Sequence, residues 1–309
     1  MTAHESRLRT GPFAGETLGR AWHAMPESWR GTDSRHFLDF PLLVKFLFPN
    51  DKLSIQVHPD DEYASKFELQ TGGRGKTEMW HIVSARPGAE LLLGLKPGVT
   101  RQEFSEAVRR STVEDLLVHC PVQAGETYFV AAGTQHALCG GMIVCEIQEY
   151  SDLTYRVHDY GRVDSSGRLR ELHLEKALAV TRYEGTPSGR IPPLALHSPD
   201  ANKHLLAACE FFSTERWGCD RTTFVEGDPQ GFQLLVILEG SGTLYDSELA
   251  LGYQPGQAWF LPASLPLVVL QPREATSLLR VTIPDRDRLH HQLLNQGFDA
   301  EAISRVLPR

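Results

Sequence analysis

Apolar and polar residues alternate over short runs through most of the chain. In KLSIQVH (Lys52 to His58), Leu53, Ile55 and Val57 point one way and Ser54, Gln56 and His58 the other, the period of two of a half-buried strand. The apolar stretch His36 to Phe48, punctuated by Pro41 and Pro49, and the runs TEMWHIVSA, AELLLGL, ETYFVAA and MIVCEIQEY predict further strands. Helical spacing is confined to a few places. Asp60 to Gln70 predicts a short helix, opened by Pro59 and Asp60 and ended by Gly72, Gly73 and Gly75. Thr100 to Ser111 begins with a capping box, Thr100 with Glu103, and Thr112 to Cys120 reads as a second helical stretch with a looser one, Thr112 with Asp115. Leu172, Leu174, Ala177, Leu178 and Val180 give Leu169 to Tyr183 a helical face.

From Glu184 to Pro199 the chain is rich in Pro, Gly and Ser, which predicts a linker. Strand patterns then return in GFQLLVILEGSGTLY, LALGYQPGQAWFLPA, PLVVLQP and TSLLRVTIP. The tail from Arg286 reads as helical, with Leu289, Leu293 and Leu294 available to pack on the body. A repeat is also visible. AGETYFVAAGTQHAL (Ala124 to Leu138) aligns with PGQAWFLPASLPLVV (Pro255 to Val269), so His136 falls opposite Leu267. TEMWHIV aligns with FQLLVIL and places Glu78 near Gln233. A unit this long indicates duplication of a whole β domain, not a solenoid repeat. The expected fold is therefore mainly β with two domains, 1–190 carrying most of the helical segments and 191–309 ending in a helix.

Composition narrows the function classes. A length of 309 residues suits two ordinary domains or one large one, and 26 Gly with 19 Pro suit frequent turns between short strands. A hydrophobic fraction of 41% and a charged fraction of 23% exclude disordered and fibrous classes. The formal charge of −8 makes general binding to nucleic acid or anionic membrane a poor fit, and no helix–turn–helix signature or basic stripe is present. An anionic substrate would need a positive field built locally. No run approaches the roughly 20 apolar residues of a membrane span. The first residues lack the apolar core of a signal peptide, so a cytoplasmic setting is expected. The five cysteines, odd in number and without a CxxC pair, predict buried free thiols.

Four residues of the first copy could carry chemistry. Gln56 and His58 are two apart in a strand and leave the same face; Glu78 opens a second strand, and His136 ends a third. Imidazole nitrogens with carboxylate and amide oxygens suit Zn²⁺, Mn²⁺, Fe²⁺ or Co²⁺ and leave room for water or substrate. Taken singly, each is as well read as an ordinary hydrogen-bonded strand residue.

Five blocks carry a resemblance. SIQVHPDDEYA, GKTEMWHIV, LGLKPGVTRQEF, AGETYFVAAGTQHAL and EIQEYSDLTYRVHDYGR follow in order between about Pro41 and Arg162. Together they resemble the type I mannose-6-phosphate isomerases, a cupin family, in its short bacterial form without the large helical insertion. The likeness continues more weakly over the second β domain. It implies two cupin domains (double-stranded β-helices, or jelly-rolls), the second degenerate and without metal. It implies one divalent metal ion, zinc foremost, on Gln56, His58, Glu78 and His136. It implies a catalytic arginine at Arg156, lysines near the substrate at Lys45 and Lys76, and an acidic site residue at Glu146. Two departures, AA before GTQHAL and HDYGR for the family's frequent YDWGR, touch none of these positions.

Each transferred residue has a competing reading. Lys76 is two from Glu78 and on the same strand face, but a lysine at a Gly-rich turn is commonly a surface residue. Lys45 sits in an apolar strand, where it could also guard a sheet edge. Arg156 offers parallel donors for an anion, or a salt bridge to Asp152 or Asp159. Glu146 shares a face with Gln148 and could be a buried structural carboxylate. His81 faces away from Glu78, and His158 and His173 have no support. The implied reaction interconverts mannose 6-phosphate and fructose 6-phosphate through an enediol. Candidates for the base are Lys76, if burial and positive neighbours depress it, Glu146, or a metal-bound water. Other readings stay open: a cupin isomerase for another sugar phosphate, an iron dioxygenase, or a non-catalytic sugar-binding bicupin. Oligomeric state is not legible.

Overall fold

The computed structural model describes residues 6–34, 37–184 and 188–308. His36, at the head of the first expected strand, and residues 185–187 of the expected linker lie outside them. The chain is mainly β and divides into two compact units. One, the central unit, is Leu43–Pro192; the other, the terminal unit, joins the described residues up to Leu42 to Pro193–Leu307.

The central unit contains β1 (Leu42–Leu47), β2 (Ile55–Val57), β3 (Glu78–Ala85), β4 (Glu90–Leu95), β5 (Leu117–Pro121), β6 (Thr127–Val130), β7 (His136–Leu138), β8 (Met142–Glu149), β9 (Tyr155–His158) and β10 (Gly189–Ile191). They form two sheets, β1-β8-β3-β6-β10 and β5-β4-β7-β2-β9. Alternation sorts the residues between faces. Trp80, Ile82, Val130 and Val144 of one sheet pack with Leu91, Leu93 and Leu138 of the other in a single cluster. Glu78, Glu146 and Gln148 share the parity of the first set; His136 shares that of Leu138. On the other face of the second sheet, Ile55, Val57, Leu92, Ala137, Tyr155 and Val157 pack with Phe104 and Val108 of a helix, Arg101–Arg109, and with Ala177 and Leu178 of another, Leu174–Val180. Burial of Phe104 alone contributes roughly 1.5–3 kcal/mol. Gln56 and Arg156, with the opposite parity, face the same way as His136.

The terminal unit contains β11 (Leu194–Leu196), β12 (Asn202–Ala208), β13 (Ser213–Cys219), β14 (Thr223–Glu226), β15 (Gln233–Glu239), β16 (Gly242–Tyr245), β17 (Ala250–Tyr253), β18 (Ala258–Leu261), β19 (Leu267–Pro272) and β20 (Thr276–Thr282). Its sheets run β11-β12-β13-β20-β15-β18 and β14-β19-β16-β17. The orders β13-β20-β15-β18 and β1-β8-β3-β6 correspond, as do β14-β19-β16-β17 and β2-β7-β4-β5, which is the duplication expected from the repeat. The residues before Leu42 group here because Trp22 meets Phe232 edge-on and Phe40 meets it at a tilt, at 5.6 and 5.3 Å between ring centroids, and Asp33 pairs with Arg288 at 2.8 Å.

In chain order the α-helices are α1 (Leu18–Ala24), α2 (Glu27–Arg30), α3 (Asp61–Phe67), α4 (Arg101–Arg109), α5 (Leu174–Val180), α6 (Arg286–Asn295) and α7 (Ala300–Val306). Asp60 caps α3, and the Thr100–Glu103 box opens α4. The second expected helix fails. Thr112 makes no side-chain cap, only a 3₁₀ turn forms at Val113–Leu116, and the rest becomes β5, paired to β4. Leu169 to Tyr183 yields only α5. The expected linker holds β10 and β11, because each finds a neighbouring strand, β6 and β12. The tail splits at Gly297, whose φ of +89° suits a helix end; Leu293 is buried and Leu294 exposed. All five cysteines are free, four of them buried. No helix of the described residues is long and apolar enough to cross a membrane.

Candidate active site

The site lies between the two sheets of the central unit. His58, Glu78 and His136 are buried, and their ligand atoms all fall within 4.8 Å of one another. Sequence distance is bridged by pairing: β7 lies beside β2, with His136 opposite Gln56. His136 opens β7 rather than ending the preceding strand, because chain reversal at Gly133 starts a new one. Gly133 N–H donates to the carbonyl of His58 at 2.8 Å, and its own carbonyl accepts from Arg182 N–H at 2.9 Å. The turn before His136 is thereby fastened to the chain just after β2.

Both imidazoles are oriented the same way. His58 Nδ1 lies 2.8 Å from the Leu153 carbonyl and His136 Nδ1 2.9 Å from that of Thr134, so each Nδ1–H donates outward. That leaves each Nε2 lone pair pointing into the site. His58 Nε2 is 3.3 Å and His136 Nε2 3.9 Å from the Glu78 carboxylate. Burial pushes His58 down to about 3, helped by the Lys76 ammonium, and lowers His136 as well. Both rings are neutral at physiological pH, as metal ligands must be. Gln56 places its amide Nε2 3.3 Å from His136 Nε2. The amide oxygen and nitrogen exchange by a simple flip, so Gln56 can turn either atom to the site.

Glu78 is the central observation. It is fully buried, and neither carboxylate oxygen has a hydrogen bond. Lys76 Nζ stands 2.7 Å from Oε1 as an ion pair, not an aligned hydrogen bond, and lies 3.2 Å from His58 Nε2. Burial would raise Glu78, but the Lys76 charge holds it well below the usual carboxylate range. Burial likewise pulls Lys76 down, yet the Glu78 and Glu146 carboxylates hold it above its ordinary value. These two carboxylates therefore favour the ammonium form of Lys76. An anionic carboxylate with unsatisfied oxygens, facing two bare imidazole nitrogens, is a fitting donor set for a divalent cation.

The remaining residues extend the site. Lys45 Nζ reaches Gln148 Oε1 at 2.6 Å and Glu146 Oε2 at 3.3 Å, joining β1 to β8. β1 is a sheet edge, but this lysine turns toward the buried Glu146 and Gln148 instead of only guarding the edge. Glu146 Oε1 accepts from Trp80 Nε1–H at 3.1 Å, and the Trp80 ring meets His136 edge-on at 5.3 Å. Burial, and then Glu78, raises the Glu146 carboxyl. Arg156 is the cross-strand partner of Gln56. Its Nη1 donates to the Glu171 carbonyl at 3.0 Å, and its buried Nε has no partner. Asp159 pairs instead with Arg162, at 2.7 Å, and with Arg170. His81 bonds Thr127 Oγ1 at 3.0 Å, away from Glu78, as alternation requires. Trp80 and the carbonyls of Leu153 and Thr134 escaped the sequence reading because only folding brings them to the site.

Comparison with known proteins bears on the family of the whole chain. No protein-family model matches the chain. It is 36% identical over 267 residues to the probable mannose-6-phosphate isomerase GmuF of Bacillus subtilis, covering 85% of this chain and 82% of that protein. It is also 36% identical over 240 residues to the mannose-6-phosphate isomerase of Streptococcus mutans, covering 77% of this chain and 72% of the relative. The crystal structure of the mannose 6-phosphate isomerase from Bacillus subtilis superposes with a TM-score of 0.82 at 32% identity, over 91% of this chain and 87% of that one. The chain belongs to the mannose-6-phosphate isomerase family.

Proposed function

We propose that this protein interconverts mannose 6-phosphate and fructose 6-phosphate, with one divalent ion, Zn²⁺ foremost, held by Gln56, His58, Glu78 and His136. The observation that carries the reading is the Glu78 carboxylate, buried with both oxygens free of hydrogen bonds between two bare imidazole nitrogens. When bound, the ion supplies a Lewis acid that polarises a sugar oxygen and makes the neighbouring C–H more acidic.

The chain's own residues do the rest. Aldose and ketose differ by a proton moved between C1 and C2, and one base on one face of a cis-enediol can carry it. Glu146 suits this role, since burial raises its carboxyl toward the working pH while Trp80 fixes its orientation. Lys76 stays charged and donates to a substrate oxygen. Arg156, with a buried Nε that no protein group uses, stabilises negative charge on the enediolate. Lys45 and Lys76 together with Arg156 give an acidic chain the local positive field that a phosphate ester needs. Five unpaired cysteines fit a reducing compartment, so we assign the protein to the cytoplasm.

A coupled assay of fructose 6-phosphate formation from mannose 6-phosphate tests the reading. Turnover should disappear on chelation and return with added Zn²⁺, and His136→Ala should lose metal and turnover together. Metal-loaded protein that leaves mannose 6-phosphate untouched, while consuming oxygen or converting another sugar phosphate, would overturn it.

A further inference from the structure

We infer that His173 is a positioning residue for Arg156. The inference rests on the proposed role of Arg156 in stabilising the enediolate.

β9, which carries Arg156, is an edge strand, with β2 on one side only. An edge residue exposes main-chain groups that need partners. His173 supplies both for Arg156. Its main-chain N–H donates to the Arg156 carbonyl at 2.8 Å, and its ring Nδ1 accepts from the Arg156 N–H at 3.2 Å. Two residues earlier, the Glu171 carbonyl accepts from Arg156 Nη1 at 3.0 Å. The segment 171–173 thus holds Arg156 at three points, two on the main chain and one on the guanidinium. The buried Nε–H is left without a protein partner.

The clamp is itself anchored. His173 caps α5, its carbonyl accepting from Ala177 N–H at 2.9 Å. α5 is tied to the preceding strand residue as well: the buried Glu68 carboxylate accepts from Tyr155 Oη–H at 2.7 Å and from Lys176 Nζ at 2.6 Å. Successive residues of β9, Tyr155 and Arg156, are therefore both fixed to α5, one through Glu68 and one through His173. A flexible arginine on a free edge would lose orientation, and small displacements of a group that acts only on the transition state cost turnover steeply.

The essential element is an acceptor at the Nδ1 position. Asn can place its amide oxygen there; Gln carries the oxygen one bond too far; Leu has none. Four single variants and one double variant, assayed in the metal-loaded protein, separate the possibilities. His173→Leu and His173→Gln should lower kcat ten-fold or more with KM within about three-fold of the parent and metal content unchanged, since only transition-state binding is affected. His173→Asn should recover most of that loss. In the Arg156→Ala background, adding His173→Leu should lower kcat no further. Equal loss in the Asn, Gln and Leu variants would overturn the acceptor argument, and parent-like kcat in His173→Gln would overturn the positioning role. Parent-like kcat in Arg156→Ala would instead sink the reading of Arg156, and this inference with it.

Discussion

Gln233 opens β15 at the register position that Glu78 holds in β3. Glu78 pairs with Val130, the last residue of β6, and with Gln148 of β8; Gln233 pairs with Leu261, the last residue of β18, and with Thr282 of β20. Counting along the strands, Leu235 matches Trp80 and Arg280 matches Glu146. Leu267 opens β19 as His136 opens β7. In the terminal unit Gln233 Oε1 accepts from Arg280 Nε–H at 2.6 Å, and Arg280 Nη1 donates to Glu215 Oε1 at 3.0 Å. In the terminal unit a cation from the neighbouring strand thus hydrogen-bonds the Glu78 counterpart. In the central unit the acid Glu146 stands in the arginine's place, and Glu78 is balanced by the Lys76 ion pair at 2.7 Å.

Glu78→Gln installs in the central unit the neutral side chain that the terminal unit already has. The amide cannot balance a divalent ion, so metal content after dialysis should fall below a tenth of the parent's, and turnover with it. Lys76 would also lose its partner at 2.7 Å in a buried site, which costs about 3–5 kcal/mol when one member of a buried pair is removed. Elemental analysis and a thermal melt of the metal-free protein measure the two effects separately. Parent-like metal content would contradict the ligand assignment.

Trp80→Phe keeps the ring against His136 and removes the N–H that Glu146 accepts at 3.1 Å. That hydrogen bond favours the charged carboxylate, so its loss raises Glu146 further. A base must be deprotonated to work, so the acid limb of kcat/KM should move to higher pH. Stability should fall by about 1–3 kcal/mol, the cost of a buried acceptor left unpaired. A pH–rate profile checks the sign; an acid limb that stays in place would remove Glu146 as the base.

Asp159 gives a stability effect of opposite pH sense. Burial would raise its carboxyl, but Arg170 and Arg162 hold it below its ordinary value. A carboxylate depressed in the folded state contributes stability above its unfolded pKa, about 3.9, and that contribution is lost as pH falls through the lower folded value. Asp159→Asn should therefore cost about 1–2 kcal/mol at pH 7, since both arginines are partly solvated, at 33% and 35% side-chain exposure. The gap between parent and variant should close below about pH 4. Urea titrations at several pH values read it directly, and a gap that widens on acidification would refute the assignment.

The site was legible where chemistry sits in local patterns. Gln56 with His58, and Lys76 with Glu78, are pairs two apart; the spacing brought both members to the site, although His58 lies just past β2 and Lys76 two residues before β3. The repeat matched strand for strand because hydrophobic period and turn spacing survive duplication. Arg156 was found by resemblance, but its clamp was not, because Glu171 and His173 sit fifteen and seventeen residues away and meet it across an edge that no periodicity marks. The stretch Thr112 to Cys120 misled for a related reason. Its helical spacing and capping residues are local, whereas β4 offers an open ladder that pairs with Leu117–Pro121.

Gly133 is where backbone geometry and metal binding meet. Its φ is +84°, a left-handed conformation that costs an L-residue roughly 1–2 kcal/mol. A Cβ there would also stand 2.8 Å from the Val180 carbonyl oxygen and 2.8 Å from Arg182 Cγ, so the turn would have to move away from the end of α5. The turn is bonded to the His58 main chain and lies three residues before His136, so the shift would reach both imidazoles. Gly133→Ala should therefore weaken metal binding by ten-fold or more, beyond its loss of stability. Gly167→Ala is the matched control: its φ is +80°, and nothing lies within 4 Å of the added carbon. That variant should show only the conformational cost and keep the parent's metal affinity, measured by competition with a chromogenic chelator. Equal metal affinity in the two variants would mean that the turn at Gly133 does not set the spacing of His58 and His136.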